Sequence, residues 1–381
     1  MKKIIVIAGD KSGDLYGGLL CEKLKEKYLD VELYSFGGPN LAKHSIQIVD
    51  LLAHSVSGIV EVLFSLKDIA EVFNRALQEI THTNPDLIIL IDFPDFNLRL
   101  AKILNNKYHI FYYISPQVWA WRKNRINDIK KYINRMIVIF KFEEDFYKRE
   151  KMEVAYFGHP LLEIIEKKSI EPKKIIAFMP GSRRNEIKKH LPVMIKAKEI
   201  IEKSLTDYTF RIIRPDNIPI EFYKNISCRI EKDTACGIEI VDHTYDAIRE
   251  SSFVITSSGT ATVEISILEV PFLVIYKLNL LSWHLLKTLV KTRFIAMTNI
   301  LAGKKVVEEL LQDKANPQNI ADVALRYLQN NEEYLTLKNE LKKIKDILSP
   351  YGATDKLTQS IGKYLKLATP QDNLPKDDLE E

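Results

Sequence analysis

Cysteine is scarce in this sequence: 381 residues hold three, Cys21, Cys228 and Cys236. The count is odd and no pair has C-x-x-C or metal-ligand spacing, which argues against a disulfide scaffold, a thiolate metal centre and a dithiol redox motif. The three read as reduced thiols of a cytosolic protein. Long apolar runs are missing too. No uncharged stretch approaches the roughly 20 residues a membrane-spanning helix needs. Met1-Lys-Lys runs straight into Ile4–Ala8, which is too short for a signal-peptide core with its cleavage site. There is no short-period repeat and no low-complexity tract. The first glycine loop matches neither the G-x-G-x-x-G fingerprint nor G-x-x-x-x-G-K-[ST], which weakens a nucleotide reading there and disfavours an NAD enzyme. No D-x-D pair stands in a suitable loop, so a divalent metal need not hold a diphosphate. Neither a metal site nor a cofactor is expected.

What is present is a globular composition, 46% apolar and 28% charged, with room for two domains of ordinary size. The net charge of +4 is unevenly spread. Leu367 to Glu381 carries −4, leaving +8 on the rest of the chain. A mildly basic body suits a phosphorylated substrate or an anionic membrane face. The tail is polar, contains Pro370 and Pro375, and is predicted to be disordered.

The pattern along the chain is strand, small-residue turn, helix, repeated. The stretch from Ser252 to Tyr276 is the clearest instance: an apolar strand, the turn Ser257-Ser258-Gly259-Thr260, a helix to Leu268, then a second strand from Phe272. Such a turn aims backbone N–H groups and a positive helix end at its ligand, which suits phosphate. Glu264, one helical turn in, is placed to accept from ribose hydroxyls. An ordinary strand-to-helix connection would look the same. Lys174–Met179 followed by Pro180-Gly-Ser-Arg183 is a second anion-facing turn; Arg183 could neutralise a pyrophosphate, or be a surface arginine at a helix start. Glu186 is a candidate cap there.

In the first half, Ile4–Ala8 leads into Gly9–Gly18 and a helix expected from about Leu19. Asp10, Ser12 and Asp14 suit sugar hydroxyls, with helix capping by Ser12 or Asp14 as the structural alternative. Asp86–Asp92 is a buried strand ending in Asp92-Phe-Pro-Asp-Phe-Asn97. An acid at the carboxyl end of a parallel strand lies where open α/β sheets bind ligands, making Asp92 a candidate general base. Asp95 reads as the cap of a helix starting near Asn97. Trp119 and Trp121 could stack on a sugar or plug a domain interface. Six basic residues between Arg122 and Arg135 read as a solvated helix face, or as a contact for a membrane or a substrate phosphate. No nucleic-acid motif accompanies them. His159 could touch phosphate or hold a hinge. Ser57–Ser65, carrying Glu61, is core or a greasy surface beside a lipid site. The leucine-rich Leu280–Arg293 is a core helix or a membrane contact. Thr298–Gly303 reads as a loop, Glu308–Gln312 as the start of a helical run, Asn316–Leu348 as helical with a break near Asn331, and Tyr351–Leu367 as a last helix.

These pieces, in this order, resemble the lipid-A-disaccharide synthase family, inverting glycosyltransferases of the GT-B type. The likeness spans residues 4 to about 366. It rests on AGDKSGD (8–14), GIVEVL (58–63), IDFPDFN (91–97), YYISPQVWAWR (112–122), FGHP (157–160), MPGSR (179–183), SSGTATVE (257–264) with PFLVIYK (271–277), TNILAG (298–303) and ELLQ (309–312). It implies an α/β fold of two Rossmann-like domains facing across a cleft. Residues 1–168 would form the acceptor domain and 169–348 the UDP-sugar domain. Residues 349–366 would form a helix crossing back to the first domain, followed by the acidic tail, 367–381. The implied reaction joins UDP-2,3-diacylglucosamine to the 6-hydroxyl of 2,3-diacylglucosamine 1-phosphate, giving the β-1,6-linked lipid A disaccharide 1-phosphate and UDP.

Carried over residue by residue, the resemblance makes Asp92 the base and sets Arg183 against the UDP phosphates. It assigns Ser258, Gly259 and Thr260 to the phosphate turn and Glu264 to the ribose. Asp10, Ser12, Asp14 and Glu61 fall on the substrate side, and Asn299 and Gln312 near the nucleotide or the closing cleft. It also implies a cytoplasmic protein, peripheral on the inner face of the bacterial inner membrane, with a homodimer left open. Two positions depart from the family: Asp10 stands where glutamate is usual and Thr298 where proline is usual. The rival readings are another GT-B member, such as a UDP-GlcNAc-dependent transferase or epimerase, and a noncatalytic nucleotide- or lipid-binding module.

Overall fold

Unbroken apolar runs become the central strands, because helices cover both faces of a parallel sheet. In the computed structural model, which describes residues 1–52, 66–231, 238–278 and 292–369, Ile4–Ala8 and Leu87–Ile91 are buried throughout. Glu61, the rest of Ser57–Ser65, nearly all of the leucine-rich 280–293 stretch and residues 370–381 lie outside the described residues. The chain divides into two compact units, Met1–Glu163 with Pro350–Glu381, and Ile164–Ser349.

The first unit runs β1 (Lys2–Ala8), α1 (Lys11–Lys27), β2 (Val31–Gly37), α2 (Pro39–His44), β3 (Ile46–Asp50), α3 (Leu66–Thr83), β4 (Leu87–Ile91), α4 (Pro94–Leu104), β5 (Ile110–Tyr113), α5 (Arg125–Tyr132), β6 (Arg135–Val138), α6 (Lys141–Arg149), β7 (Ala155–Tyr156) and α7 (Leu161–Ile164). Its strands form one parallel sheet ordered β3-β2-β1-β4-β5-β6-β7, with Ile4 opposite Leu87 and Ala8 opposite Ile91. The second unit runs β8 (Lys173–Met179), α8 (Arg184–Ile201), β9 (Thr209–Arg214), α9 (Ile220–Glu231), β10 (Ile238–Asp242), α10 (Tyr245–Arg249), β11 (Ser251–Ser257), α11 (Ala261–Ile267), β12 (Phe272–Tyr276), α12 (Met297–Ala302), β13 (Glu309–Leu311), α13 (Pro317–Gln329) and α14 (Asn331–Ile347). Its parallel sheet is ordered β10-β9-β8-β11-β12-β13. The last helix, α15 (Ala353–Leu365), returns to the first unit. There Glu163 accepts from Thr354 N at 2.8 Å, Asp30 accepts from Ala368 N at 3.2 Å, and the Tyr364 ring lies 4.8 Å from Phe111.

Each sheet reverses its winding once, between β1 and β4 in the first unit and between β8 and β11 in the second. A crevice opens at the carboxyl ends of the strands at such a switch point, and ligands of open α/β sheets bind there.

Several local expectations are corrected. The glycine-rich stretch after β1 is already helix: α1 starts at Lys11, not near Leu19. Its glycines mark close approach. A Cβ on Gly18 would sit 2.8 Å from the Asn40 carbonyl oxygen, so α1 packs against α2 only without a side chain there. Thr298–Gly303 is helical rather than a loop, and Glu309–Leu311 is an edge strand rather than a helix start. Helix α4 opens at Pro94, ahead of Asn97, as suits a residue with fixed φ and no N–H.

Candidate active site

In the first unit, β4 delivers Asp92 to the switch point. Asp92 and Phe93 both take left-handed backbone angles, φ 41° and 49°, and Ile114 at the end of neighbouring β5 does the same at 67°. Such conformations in non-glycine residues cost on the order of 1–3 kcal/mol each and persist only where surroundings hold them. Here the hold is visible. The Tyr112 hydroxyl donates to the Asp92 carbonyl at 2.6 Å. Asn97 Nδ2 donates to the Asp92 carbonyl at 2.8 Å and to the Ile91 carbonyl at 3.2 Å. The Phe93 ring lies flat against Gly9, where any Cβ would collide with it, and stacks on Phe96 at 5.4 Å.

The Asp92 carboxyl is pushed up to about 7. Burial is the larger cause and the charge of Asp10 the second; the Phe93 N–H works against both. Asp10 belongs to the loop after β1, on the other side of the switch. It is the N-cap of α1: Oδ1 accepts from Gly13 N at 3.0 Å and Oδ2 from Ser12 Oγ at 2.8 Å. The capping role thus belongs to Asp10 rather than to Ser12 or Asp14.

Asp14 is a correction. It is buried at 1% exposure. Its Oδ1 accepts from Gly38 N at 2.7 Å and Leu41 N at 3.1 Å, and its Oδ2 from Asn40 N and Nδ2, both at 3.0 Å. This carboxylate caps α2 from the interior and has no face left for a sugar. Asp95 is exposed and caps nothing; Phe93 is the N-cap of α4, and Asp95 pairs with Arg122 at 2.9 Å and with Arg125. The two tryptophans separate. Trp119 Nε1 donates to buried Glu143 at 3.1 Å, whereas Trp121 lies under the Arg122 guanidinium at 4.4 Å. Burial pushes the Glu143 carboxyl up to about 8, against the N–H groups of Phe140, Trp119 and Ile139. His159 is buried and driven down to about 3 by that burial. Its Nδ1 accepts from Leu161 N at 3.2 Å, so the neutral ring braces its turn.

In the second unit, the turns after β8 and β11 flank the switch point. Arg183 is the N-cap of α8, exposed, and its Nη1 lies 3.4 Å from Glu186 Oε1. Glu186 Oε2 accepts from Ser182 N at 3.2 Å, so this carboxylate closes the turn, as expected of a cap. Gly259 has φ 154°, and nothing lies within 4 Å of where a Cβ would stand. Backbone conformation, not crowding, therefore calls for glycine, and the space over the turn is open. Thr260 is exposed beside it. The Ser258 hydroxyl faces inward instead, donating to the Ile295 carbonyl at 2.9 Å. Glu264 is half-buried and lies 3.2 Å from His243 Nε2.

Asn299 and Gln312 both brace backbone groups of the second unit. Asn299 is fully buried, with Oδ1 accepting from Val306 N and Val307 N and Nδ2 donating to the Val307 carbonyl and Glu309. Gln312 pairs its amide with both backbone groups of Leu278 at 3.2 Å. Glu309, the glutamate of ELLQ, accepts from Ile295 N and Ala296 N and so secures the segment that receives Ser258. Thr298 uses the hydroxyl that proline lacks: it donates to the Thr262 carbonyl at 3.2 Å and shares a 2.8 Å hydrogen bond with Ser266, tying α12 to α11. Buried His190 was not singled out by sequence. Its Nε2 accepts from Lys277 N at 3.0 Å, which leaves the proton on Nδ1 to donate to the Pro180 carbonyl at 2.7 Å. It thereby fastens the Pro180–Arg183 turn to the end of β12. Its pattern in sequence is that of any helix histidine.

The family described as lipid-A-disaccharide synthetase matches residues 4–356. The chain is 35% identical over 369 residues to the lipid-A-disaccharide synthase of Syntrophus aciditrophicus (strain SB), covering 93% of this chain and 96% of that protein. It is 36% identical over 371 residues to the enzyme of the same name from Persephonella marina, with coverage of 93% and 96%. Among solved structures it is similar to the UDP-GlcNAc 2-epimerase from Neisseria meningitidis bound to UDP-GlcNAc, with a TM-score of 0.66, 11% identity and coverage of 95% and 100%. At that identity the likeness speaks to fold alone, the two-domain α/β architecture of GT-B proteins.

Proposed function

The chain belongs to the lipid-A-disaccharide synthase family, and from that premise we propose the reaction and the residues that perform it. The protein is a glycosyltransferase of lipid A biosynthesis. Its donor is UDP-2,3-diacylglucosamine and its acceptor 2,3-diacylglucosamine 1-phosphate. The products are the β-1,6-linked disaccharide 1-phosphate and UDP.

The observation that carries the mechanism is the carboxyl of Asp92 at the β1/β4 switch point, raised to about 7 by burial and by Asp10. A base works best when its pKa lies near the operating pH. An ordinary surface aspartate, ionised far below neutrality, is a weak acceptor; Asp92 is a stronger one. It takes the proton of the acceptor hydroxyl as that oxygen attacks the anomeric carbon from the face opposite UDP, and the configuration inverts. In the second unit the leaving diphosphate is taken up by Arg183 at the head of α8 and by the open Gly259–Thr260 turn. Arg183 is already in contact with a carboxylate, Glu186, so exchanging that partner for phosphate keeps its charge compensated. Glu264 accepts from the ribose hydroxyls, with His243 alongside. Positive charge on the leaving group's side is supplied by arginine, so the scheme requires no metal.

Because the substrates carry acyl chains, the protein works at the cytoplasmic face of the inner membrane without spanning it. No helix among the described residues is long and apolar enough to cross a membrane.

Mass spectrometry of the products from the two acylated sugars tests the reaction: a disaccharide 1-phosphate with UDP is expected, and an epimerised nucleotide sugar with no disaccharide would overturn it. Asp92→Ala should lower kcat by about two orders of magnitude or more, the general scale of acid–base help, with UDP affinity little changed. Near-normal turnover would remove Asp92 as the base. Since the base must be ionised, kcat/KM should rise with pH through about 7 and level off above it. Asp10→Asn removes one of the two causes that raise the carboxyl, so it should move the rise to lower pH. Arg183→Ala should weaken UDP binding in calorimetry, and an unchanged affinity contradicts the role given to it. Flotation with anionic liposomes should carry the protein upward; its absence from the lipid fraction would rule out the membrane contact.

A further inference from the structure

The turn that carries Asp92 is held from behind by two side chains that stay in the interior. Asn97, on α4, is fully buried. Its Nδ2 donates to the Asp92 carbonyl at 2.8 Å and to the Ile91 carbonyl at 3.2 Å. Tyr112, on β5, is also fully buried, and its hydroxyl donates to the same Asp92 carbonyl at 2.6 Å. One peptide oxygen therefore takes two side-chain donors from two different elements. The Asp92 N–H is fixed as well, donating to the Tyr113 carbonyl at 3.1 Å.

A plain strand-to-helix connection needs none of this. At most of the other strand ends of this sheet the chain passes into its helix without two successive left-handed residues. Here φ of Asp92 and Phe93 is positive, and the orientation of the Asp92 peptide decides where its Cα–Cβ bond points. Let the carbonyl go, and the residue can relax to an ordinary extended or helical conformation, which swings the carboxyl to a different side of the chain. Clamping the carbonyl is thus a way of aiming the side chain without touching it.

We propose that Asn97 and Tyr112 are positioning residues of the transfer reaction: by holding the Asp92 carbonyl, they keep its carboxylate in the one orientation from which it takes the acceptor's proton. This rests on the reading of Asp92 as the base. Neither residue meets the substrate. Each acts through the main chain of the residue that does, and precise aim matters because a displacement of about 1 Å can cost about 100-fold in rate.

A positioning role leaves a signature that a packing role does not. The titratable groups whose charge meets that of Asp92 are Asp10 on the loop after β1, Tyr112 on β5 and Glu143 on α6. A relaxed turn no longer holds the carboxyl in the setting where burial and Asp10 raise it, so its affinity for a proton should fall. The rise of kcat/KM with pH should then shift downward while the maximal rate drops. A loss of packing alone would lower the melting temperature and leave the midpoint of the pH profile where it was.

The test uses the full chain with Tyr112→Phe, which deletes one hydroxyl and keeps the ring, and Asn97→Ala, which frees the Ile91 carbonyl and leaves the Asp92 carbonyl to Tyr112 alone. Asp92→Ala serves as the reference. Tyr112→Phe should reduce kcat between about 10- and 100-fold, leave KM for either sugar within about twofold, and move the pH rise to lower values. Asn97→Ala should act in the same direction. If Asn97→Ala does not fold, Tyr112→Phe decides alone. Tyr112→Phe with the wild-type kcat and pH profile overturns the proposal, as does a raised KM with kcat unchanged. The two readings fail differently. An active Asp92→Ala removes the base itself, and the clamp with it. An inactive Asp92→Ala beside a fully active Tyr112→Phe removes only the clamp.

Discussion

A carboxylate partly withdrawn from water beside a second carboxylate is the constraint around which the first unit is arranged. Neither condition is comfortable: burial disfavours the charged form, and a like charge disfavours it further. Asp92 meets both because it stands at the sheet's switch point, where the loops after β1 and β4 converge. The surrounding structure devotes several features to keeping it there. Gly9 yields its Cβ to the Phe93 ring, Asn97 and Tyr112 take the Asp92 carbonyl, and Asp10 is pinned as the cap of α1 by Gly13 and Ser12. Asp10 acts on Asp92 through its charge while its oxygens are held in that cap.

The second unit follows the same plan with different groups. Its switch point carries an arginine paired with Glu186 and an open glycine turn, and the residues around them are braced by a buried layer. His190 ties the Pro180–Arg183 turn to Lys277. Glu309 and Asn299 fix the Ile295–Ala296 segment on which Ser258 rests. Arg183, Gly259 and Thr260 are exposed, while His190, Glu309 and Asn299 behind them are hydrogen-bonded. Buried polar networks with every partner supplied hold a geometry that loops alone would not.

Strands and switch-point turns were legible in the sequence because they have local signatures. An unbroken apolar run such as Leu87–Ile91 marks a doubly covered strand, and a small-residue turn marks the passage from strand to helix. The side-chain assignments were less legible, for a physical reason. Asp10, Asp14, Asn299 and Gln312 all sit in motifs, but a motif does not say whether a polar atom faces outward or is consumed by backbone groups distant in sequence. Asp14 is satisfied by Gly38, Asn40 and Leu41, and Asn299 by Val306, Val307 and Glu309. The glycines of α1 misled in a similar way. Gly18 reads as a loop residue, yet its role is contact with Asn40, which no local pattern encodes. His190 carried no signal, and Tyr112, though it opens the 112–122 motif, carried none for its role, since each acts through a backbone group brought near only by the fold.

Carbon-13 NMR of the protein labelled at aspartate carboxyls, with the Asp92 resonance assigned by its absence from Asp92→Asn, measures the proton affinity of this group directly. A half-buried base under the influence of Asp10 should titrate with a midpoint near pH 7. A midpoint near 4, the ordinary aspartate range, would mean that neither burial nor Asp10 acts on this carboxyl, and the proton-transfer role would lose its physical basis.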